Sequence, residues 1–333
     1  MKGKRFLLCL LALCAVECTE KEDGIISNFD GLTQGTTYHI VVKSDRPLFL
    51  QAEIDSLLKV VDNSMSRYNP ASLLCRLNRN ETDSLDDFIT GCIRTADSIS
   101  RESGGLYDVT IKPLTSAYGF AGDSVVQHPN VDSLLQFVGY EKISVENGRL
   151  RKSDPRVQID LNSIAQGATS DFIAKYFDKV GFTDYLIEVG GEIFCKGLNA
   201  KSRPWVVGID RPFEGNFTPG ADLMVHIGMT NRGLATSGNY RKFYTDDNGR
   251  KIVHTVNAKT GQPFMSSLLS ATVVAENATK ADAYGTMMLL FGLEKSKEYL
   301  AAHPEVQAYL VYSDDKGNFQ TYVTPELQSM IVE

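Results

Sequence analysis

One stretch near the middle of the chain, residues 158–171, constrains the fold most, because an apolar alternation leads directly into a helix start. The alternating apolar positions are Val157, Ile159 and Leu161. This pattern predicts a half-buried strand, followed by a helix that Asn162 or Ser163 caps. The N–H groups and the positive dipole end at a helix start attract anions such as phosphate. Asp160 lies at the junction, where we expect it to accept a hydrogen bond or to face a cation.

The helix that follows has apolar residues at four-residue spacing, which predicts one buried stripe. The stripe comprises Ile164, Ala168, Phe172, Tyr176 and Val180. Gly167, near the helix start, would allow a ligand or a second backbone to approach closely.

The charge balance excludes one class of partner. The 333 residues carry a formal net charge of −7, and no basic cluster occurs outside the first five residues. Binding of nucleic acid requires a basic surface, so the sequence predicts no nucleic-acid partner.

The N-terminus has the pattern of an export signal. Lys2, Lys4 and Arg5 precede the apolar run 6–16, which is too short to span a membrane. We therefore expect residues 1–17 to be a signal peptide and the mature protein to be exported.

A cysteine at the end of this apolar run indicates lipid attachment after cleavage. Cys18 and the polar acidic residues that follow it resemble the export signal of bacterial surface lipoproteins, although Glu17 stands where a small residue is usual. Cys14 is a second candidate, and a plain cleaved signal peptide is the alternative.

The expected organisation is a signal peptide (1–17), a tether (18–26) and one domain (27–330). The lipid would anchor it to a membrane, facing the periplasm.

The rest of the chain mixes helical and strand patterns without a linker between autonomous domains. Strands are predicted at residues 35–43, 142–145, 150–152, 185–189, 193–196, 205–209, 223–228, 234–236, 253–256, 270–275, 306–312 and 318–323. Further helices are predicted at residues 48–61, 86–103, 278–291 and 293–302. Mixed helices and hairpins predict an α+β fold with a largely antiparallel sheet.

A carboxylate and a hydroxyl in the last long helix are candidates for a cation site. Asp282 and Thr286 are four residues apart and therefore project from one face. Oxygen ligands without a nearby thiolate or imidazole suit Mg²⁺. Such a pair is also compatible with a solvated face or a local hydrogen bond. The surrounding residues are apolar or small, however, and a carboxylate is seldom buried without a partner.

Other polar candidates have equally good structural interpretations. The small-residue segment 235–240 follows a strand and reads as a turn, and His254 could be a structural histidine. The cysteines Cys75, Cys92 and Cys195 have no paired spacing, so neither a disulfide framework nor a thiolate metal site is predicted.

These motifs, taken in order, resemble the ApbE family of flavin transferases over residues 27–330. The resemblance rests on residues 34–36, 62–69 with Asn78, 103–110 with Pro113 and Leu114, 160–167 with Asp171, 190–192, 205–209, 235–238, His254 with 260–261, and 281–283 with Thr286. It implies a two-lobed mixed fold with an FAD cleft between the lobes.

The resemblance also implies an activity, that of a magnesium-dependent FAD:protein FMN transferase. Such an enzyme splits FAD, releases AMP and joins FMN through a phosphoester to a threonine or serine of an acceptor flavoprotein. The implied acceptors carry a Ser/Thr-Gly-Ala-Thr-type motif, as in subunits of the Rnf complex or of the sodium-translocating NADH:quinone reductase. Two alternatives stay open: a periplasmic FAD pyrophosphatase, and a non-catalytic FAD-binding lipoprotein.

The family motifs assign roles to particular residues. The FAD site would comprise Gln34, Tyr68, Leu106, Tyr107, Asp108, Asp160, Gln166 and Thr255, with Tyr68 or Tyr107 stacking on a ring. Magnesium would be held by the backbone carbonyl of Ser163 and the side chains of Asp282 and Thr286. His254 matches a histidine that acts as general base on the acceptor hydroxyl.

The sequence departs from the family pattern at two positions. Gln34 stands where methionine is common, and Gln166 stands where lysine is frequent, so one positive charge near the nucleotide is missing. The tripeptide 167–169, Gly-Ala-Thr, resembles the acceptor motif. It lies inside the predicted helix, which favours packing over self-modification.

Overall fold

The computed structural model describes residues 24–332 apart from 121–124, 127–128, 214–215, 217–219, 241–242, 248 and 250. The predicted signal peptide (1–17), Cys18 and most of the predicted tether therefore lie outside the described residues. The first strand begins at Ile25, two residues before the predicted domain start. None of the described helices is long and apolar enough to cross a membrane.

Fifteen strands and eight α-helices occur in the described part of the chain. The strands are β1 (Ile25–Thr33), β2 (Thr36–Ser44), β3 (Ile143–Glu146), β4 (Arg149–Lys152), β5 (Asp184–Val189), β6 (Glu192–Lys196), β7 (Trp205–Asp210), β8 (Leu223–Met229), β9 (Arg232–Gly238), β10 (Phe243–Thr245), β11 (Lys251–Val253), β12 (Leu268–Ala275), β13 (Gln307–Ser313), β14 (Phe319–Val323) and β15 (Ile331–Val332). The helices are α1 (Gln51–Met65), α2 (Leu73–Asn78), α3 (Asp87–Glu102), α4 (Lys112–Ala117), α5 (Val131–Leu135), α6 (Ala165–Val180), α7 (Ala278–Ala302) and α8 (Pro325–Met330).

The main sheet has eight strands in the order β1-β2-β5-β6-β9-β12-β13-β14, and every neighbouring pair is antiparallel. Helices α6 and α7 pack on one face of this sheet, and α1 and α3 pack against them. The small sheet β15-β8-β7 buries Trp205 and Ile227 against the opposite face. The α+β fold with a largely antiparallel sheet is therefore confirmed.

A smaller apolar cluster forms a second lobe beside the main core. It comprises Leu114, Tyr118, Val138, Val256 and Ala258, with half-buried residues of α5 packed against it. Tyr118 connects the two chain segments of this lobe, since its hydroxyl donates to the carbonyl of Gly261, about 140 positions later, over 3.0 Å.

Most predicted elements occur where the pattern places them. The hairpin β3–β4 turns at Asn147 and Gly148, whose φ angles of 51° and 72° are those that such a turn requires. The two predicted helices at the C-terminal side form one long element, α7, which is broken at Gly292 with φ 71° and ψ −178°. Strands β1, β10 and β15 and the short helices were not predicted, and the strand predicted at 253–256 overlaps β11 only at Val253.

The strand predicted at residues 157–161 is wrong. Its three apolar residues are buried, but the segment pairs with no strand. The backbone of Ile159 instead exchanges two hydrogen bonds with the side-chain amide of Asn78, at 2.7 and 2.8 Å. The backbone N–H of Asp160 donates to the carbonyl of Val109. Alternation of apolar residues indicates which side chains are buried but not what the backbone bonds to. Here the Asn78 side chain forms the backbone hydrogen bonds that a neighbouring strand would form in a sheet.

The predicted cap and stripe of the central helix are also corrected. Helix α6 is capped at Ile164 without a side-chain hydrogen bond, so neither Asn162 nor Ser163 caps it. Its buried face is Ala165, Gly167, Thr169, Ser170, Ile173, Ala174 and Phe177, whereas Val180 is 48% exposed. The helix packs against both the sheet and the neighbouring α7 and buries small residues, which a stripe of large residues does not reveal.

Candidate functional site

A cleft opens beside the start of α6. It encloses about 430 Å³ of empty space, including space open to solvent. The turn β1–β2, the C-terminal end of α1 with the loop after it, and residues 160–166 form its walls. Four of the predicted FAD residues line it, namely Gln34, Tyr68, Asp160 and Gln166.

Local hydrogen bonds hold two of these residues at the cleft. Gln34 occupies the β1–β2 turn with a φ of 52°, and its side-chain amide donates to the hydroxyl of Thr169 over 2.6 Å. Tyr68 is 63% exposed and follows α1 in a turn where the Ser66 hydroxyl accepts from the backbone N–H groups of Tyr68 and Asn69. Its exposed ring is therefore available for stacking on a planar ligand.

Asp160 lies at the border of the two lobes and is almost completely buried. One carboxylate oxygen accepts from the backbone N–H of Asn162 over 2.9 Å, and the other accepts from Thr115 of α4 over 3.2 Å. The guanidinium of Arg67 lies 3.6 Å from this second oxygen. The cleft thus borders the contact between the main core and the smaller lobe.

The loop after α3 carries three more predicted residues. Tyr107 is buried, its hydroxyl accepts from that of Ser163 over 3.1 Å, and burial raises its pKa. Asp108 accepts two hydrogen bonds from Thr110, both 2.7 Å long. Burial raises the pKa of the Asp108 carboxyl from 3.8 to about 6, against the opposing effect of these hydrogen bonds.

The segment after β11 contacts that loop. The backbone N–H of Ala258 donates to the carbonyl of Leu106 over 3.5 Å. Thr255 is buried and donates its hydroxyl to the side-chain carbonyl of Asn239 over 2.6 Å. His254 is half-buried, with its ring edge-on to Phe120 at a centroid distance of 6.3 Å.

The starts of α6 and α7 are joined by a reciprocal pair of carboxylates. Asp282 of α7 is 5% exposed, and one of its oxygens accepts from the N–H of Gly167 in the first turn of α6 over 3.1 Å. Asp171 of α6 accepts from the backbone N–H groups of Ala278 and Thr279 in the first turn of α7, at 3.0 and 2.9 Å. Each helix therefore supplies a carboxylate that caps free N–H groups of the other, in α7 beside the Asn277 side chain, and this contact fixes Asp282 at the start of α6.

The two helices approach closely because of a glycine. A Cβ atom on Gly167 would lie 2.3 Å from the carbonyl oxygen of Ala278. Gly233 of β9 allows a similar approach from the sheet side, where an added Cβ would lie 2.1 Å from the Ala278 nitrogen. The position of α7, and hence of Asp282, is set by backbone contacts on both sides.

The predicted metal ligands are all oxygen donors. Thr286 lies one turn further along α7, and its hydroxyl is 3.4 Å from that of Ser237 on β9. Ser163 immediately precedes α6 and is bonded to Tyr107, whose pKa the Asp282 charge also helps to raise. A carboxylate, a hydroxyl and a peptide carbonyl fit a hard cation such as Mg²⁺. Clusters of three or more His, Cys, Asp or Glu side chains suited to a metal are absent from the residues that the structure describes.

The predicted residues therefore form two groups on either side of the α6 start. Gln34, Tyr68, Asp160 and Gln166 form the cleft, and Leu106, Tyr107, Asp108, Thr255 and His254 lie in the two loops that contact each other. Sequence reasoning assigned no role to Arg67, Asn239 or Asp171. The only signal for Arg67 was a basic residue beside Tyr68 in a polar loop.

Fold and site together define an α+β protein with a cleft beside a helix start and a buried oxygen-donor cluster, an arrangement suited to a phosphorylated ligand. The sequence model of the ApbE family matches residues 34–310. The chain belongs to the ApbE family.

Curated relatives and solved structures agree with this membership. The chain is 32% identical to the FAD:protein FMN transferase of Haemophilus influenzae over 92% of each chain. It is 27% identical to the enzyme of the same name from Escherichia coli K12, over 98% of this chain and 97% of the relative. Its fold matches the flavin transferase ApbE from Vibrio cholerae with a TM-score of 0.81 and 27% identity, over 92% of this chain and 99% of that chain.

Proposed function

We propose that the protein is an FAD:protein FMN transferase. The carrying observation is the buried carboxylate of Asp282, which the first turn of α6 holds beside a cleft lined by four of the predicted FAD residues. Two relatives that match nearly the whole chain are named for this activity. The fold places a helix start at the same point, as an anionic pyrophosphate requires.

The proposed reaction is a phosphoryl transfer. The hydroxyl oxygen of an acceptor threonine or serine forms a bond to the phosphorus of the FMN half of FAD. The bond from that phosphorus to the bridging oxygen breaks, and AMP leaves with the bridging oxygen and its electron pair. The hydroxyl proton passes to a base, so that the products are a phosphoester-linked FMN and AMP.

The residues divide this work between them. Tyr68 offers an exposed ring for stacking, and Gln34, Asp160 and Gln166, which line the cleft, would contact the nucleotide. Ser163, through its backbone carbonyl, Asp282 and Thr286 would hold Mg²⁺. When bound, this ion supplies neutralisation of charge on the transferring phosphoryl group. His254 would take the acceptor proton, since its imidazole is half-buried and a neutral imidazole nitrogen can accept a proton.

A direct test is incubation of the purified protein with FAD, Mg²⁺ and an acceptor domain, followed by intact-mass measurement of the acceptor. We propose acceptors with a Ser/Thr-Gly-Ala-Thr-type motif, as in subunits of Rnf or of the sodium-translocating NADH:quinone reductase. An FMN adduct on the wild-type acceptor, absent when the motif's last threonine is changed to valine, is expected.

Two other outcomes would refute transfer and identify the alternative. Release of FMN and AMP at equal rates with and without acceptor would define an FAD pyrophosphatase. FAD binding without cleavage at any Mg²⁺ concentration would define a flavin-binding protein.

We also propose that the protein is exported and anchored to a membrane through a lipid on Cys18, facing the periplasm. The proposal rests on the basic residues, the apolar run and the cysteine at its end. Cys18→Ser should move the protein from the membrane to the soluble fraction, whereas the matched control Cys14→Ser should not. The reverse result would assign the anchor to Cys14.

A further inference from the structure

Arg67 has an unusual position in the cleft. Three charged residues line it, namely Asp62, Arg67 and Asp160, and Arg67 is the one basic residue among the described residues of its wall. The wall therefore carries more negative than positive charge. Any anionic ligand that enters depends strongly on this single guanidinium.

The Arg67 side chain is half-buried, and the hydrogen bonds of its guanidinium are incomplete among the described residues. Its side chain is 17% exposed, and one terminal nitrogen donates to the Tyr68 hydroxyl over 2.6 Å. The other terminal nitrogen lies 3.6 Å from the Asp160 carboxylate, beyond a good hydrogen bond. The Nε–H is buried and has no hydrogen-bond partner in the part of the chain that the structure describes. A buried charged donor without an acceptor is unfavourable unless a ligand supplies one.

The surroundings hold Arg67 in this position before any ligand arrives. The carbonyl of Ser66, the residue before it, accepts from the Ser72 hydroxyl over 2.6 Å, and the carbonyl of Arg67 itself accepts from the Cys75 thiol. The guanidinium carbon lies 4.8 Å from the centre of the Tyr68 ring. A planar group held in this way is well suited to bind an anionic oxygen.

We propose that Arg67 is the cationic anchor for the pyrophosphate of FAD, with its guanidinium donating to a phosphate oxygen in the cleft. The inference rests on the proposed function. It adds that Arg67 offsets the negative charge of the pyrophosphate in a cleft where Gln166 carries no charge. The pyrophosphate is favoured over a ring carbonyl because the unsatisfied donor is a cation on a wall of net negative charge.

The test compares ligands that share or lack the pyrophosphate. Binding of FAD, ADP and riboflavin is measured by calorimetry in EDTA, so that no metal contributes, for the wild type and for Arg67→Gln. The matched control is Arg149→Gln, which removes an equal charge from a half-exposed arginine paired with Asp83. Loss of a charged hydrogen bond should weaken FAD and ADP binding by about 10- to 150-fold, and riboflavin binding should be unchanged.

Further results distinguish the possible failures. Arg67→Lys keeps the positive charge but lacks the planar guanidinium with its several N–H donors. It should recover part of the FAD affinity, which a merely structural role would not predict. Equal loss for riboflavin and FAD, or wild-type FAD affinity in a folded Arg67→Gln, would overturn the inference and leave the proposed function standing. A wild-type protein that binds neither FAD nor ADP would overturn both.

Discussion

Adding one methyl group to Gly167 should separate the two helices that carry the site. The Cβ of Gly167→Ala would lie 2.3 Å from the carbonyl oxygen and 2.7 Å from the carbonyl carbon of Ala278, and 3.0 Å from the Cβ of Asp282. The first two atoms are backbone and cannot rotate away. To restore ordinary van der Waals contact, α6 and α7 must move apart by about 1 Å.

The loss in the free energy of unfolding follows from two destabilising effects and one stabilising effect. Overpacking of this kind costs about 1–3 kcal/mol. The N–H of Gly167 also donates to the Asp282 carboxylate, and weakening a hydrogen bond to a charged group costs up to about 1.5–3 kcal/mol. Alanine gains about 0.5–1 kcal/mol over glycine inside a helix. We expect the free energy of unfolding to fall by about 2–5 kcal/mol.

Gly91 provides the matched control. It lies in α3, is exposed, and an added Cβ would meet no atom within 4 Å. Gly91→Ala should therefore raise the free energy of unfolding by about 0.5–1 kcal/mol in urea titrations. Under conditions where Gly167→Ala is fully folded, its FAD cleavage should still be slower and require more Mg²⁺, because Asp282 has moved. Equal stability changes at the two glycines would refute the close contact as the source of the effect.

Three other predictions concern single carboxylates and the histidine. Asp282→Ala should abolish FAD cleavage and retain the far-UV circular dichroism of the wild type; full activity would exclude Asp282 from the site. His254→Ala should bind FAD normally in a fluorescence titration but transfer FMN about 10²- to 10⁴-fold more slowly. Failure of this variant to bind FAD would make His254 structural. Because burial raises the pKa of Asp108 to about 6, the folded state takes up a proton before the unfolded state does as the pH falls. The stability of the wild type relative to Asp108→Asn should therefore rise by up to about 3 kcal/mol between pH 7 and pH 4, and a constant difference in urea titrations would contradict this.

Local patterns were sufficient to predict much of the fold. The hairpin at Asn147 and Gly148 and the end of α3 at Ser103 were predicted because turn and cap residues act on their immediate neighbours. The strand at 157–161 was predicted wrongly because its backbone is satisfied by Asn78, which is about 80 positions away and gives no local signal. Strand β1 alternates too weakly to be recognised without β2 beside it.

In the site, too, local patterns were predictable from the sequence and contacts between distant residues were not. Helical spacing was enough to place Asp282 and Thr286 on one face of α7. It could not show that Asp171 caps α7 while Asp282 caps α6, since both contacts join residues more than 100 positions apart. The buried, unpaired Nε of Arg67 is likewise a property of packing among the described residues, so the three-dimensional structure was needed to single out this residue.

The tripeptide 167–169 resembles the sequence that such enzymes modify, yet its threonine is fully buried. The hydroxyl of Thr169 donates to the carbonyl of Ala165 over 2.7 Å and accepts from Gln34. In the folded chain this hydroxyl is therefore inaccessible to the proposed active site. A folded copy could reach Thr169 only in another chain that has not folded, so an FMN adduct there would act as a chemical record of misfolded copies.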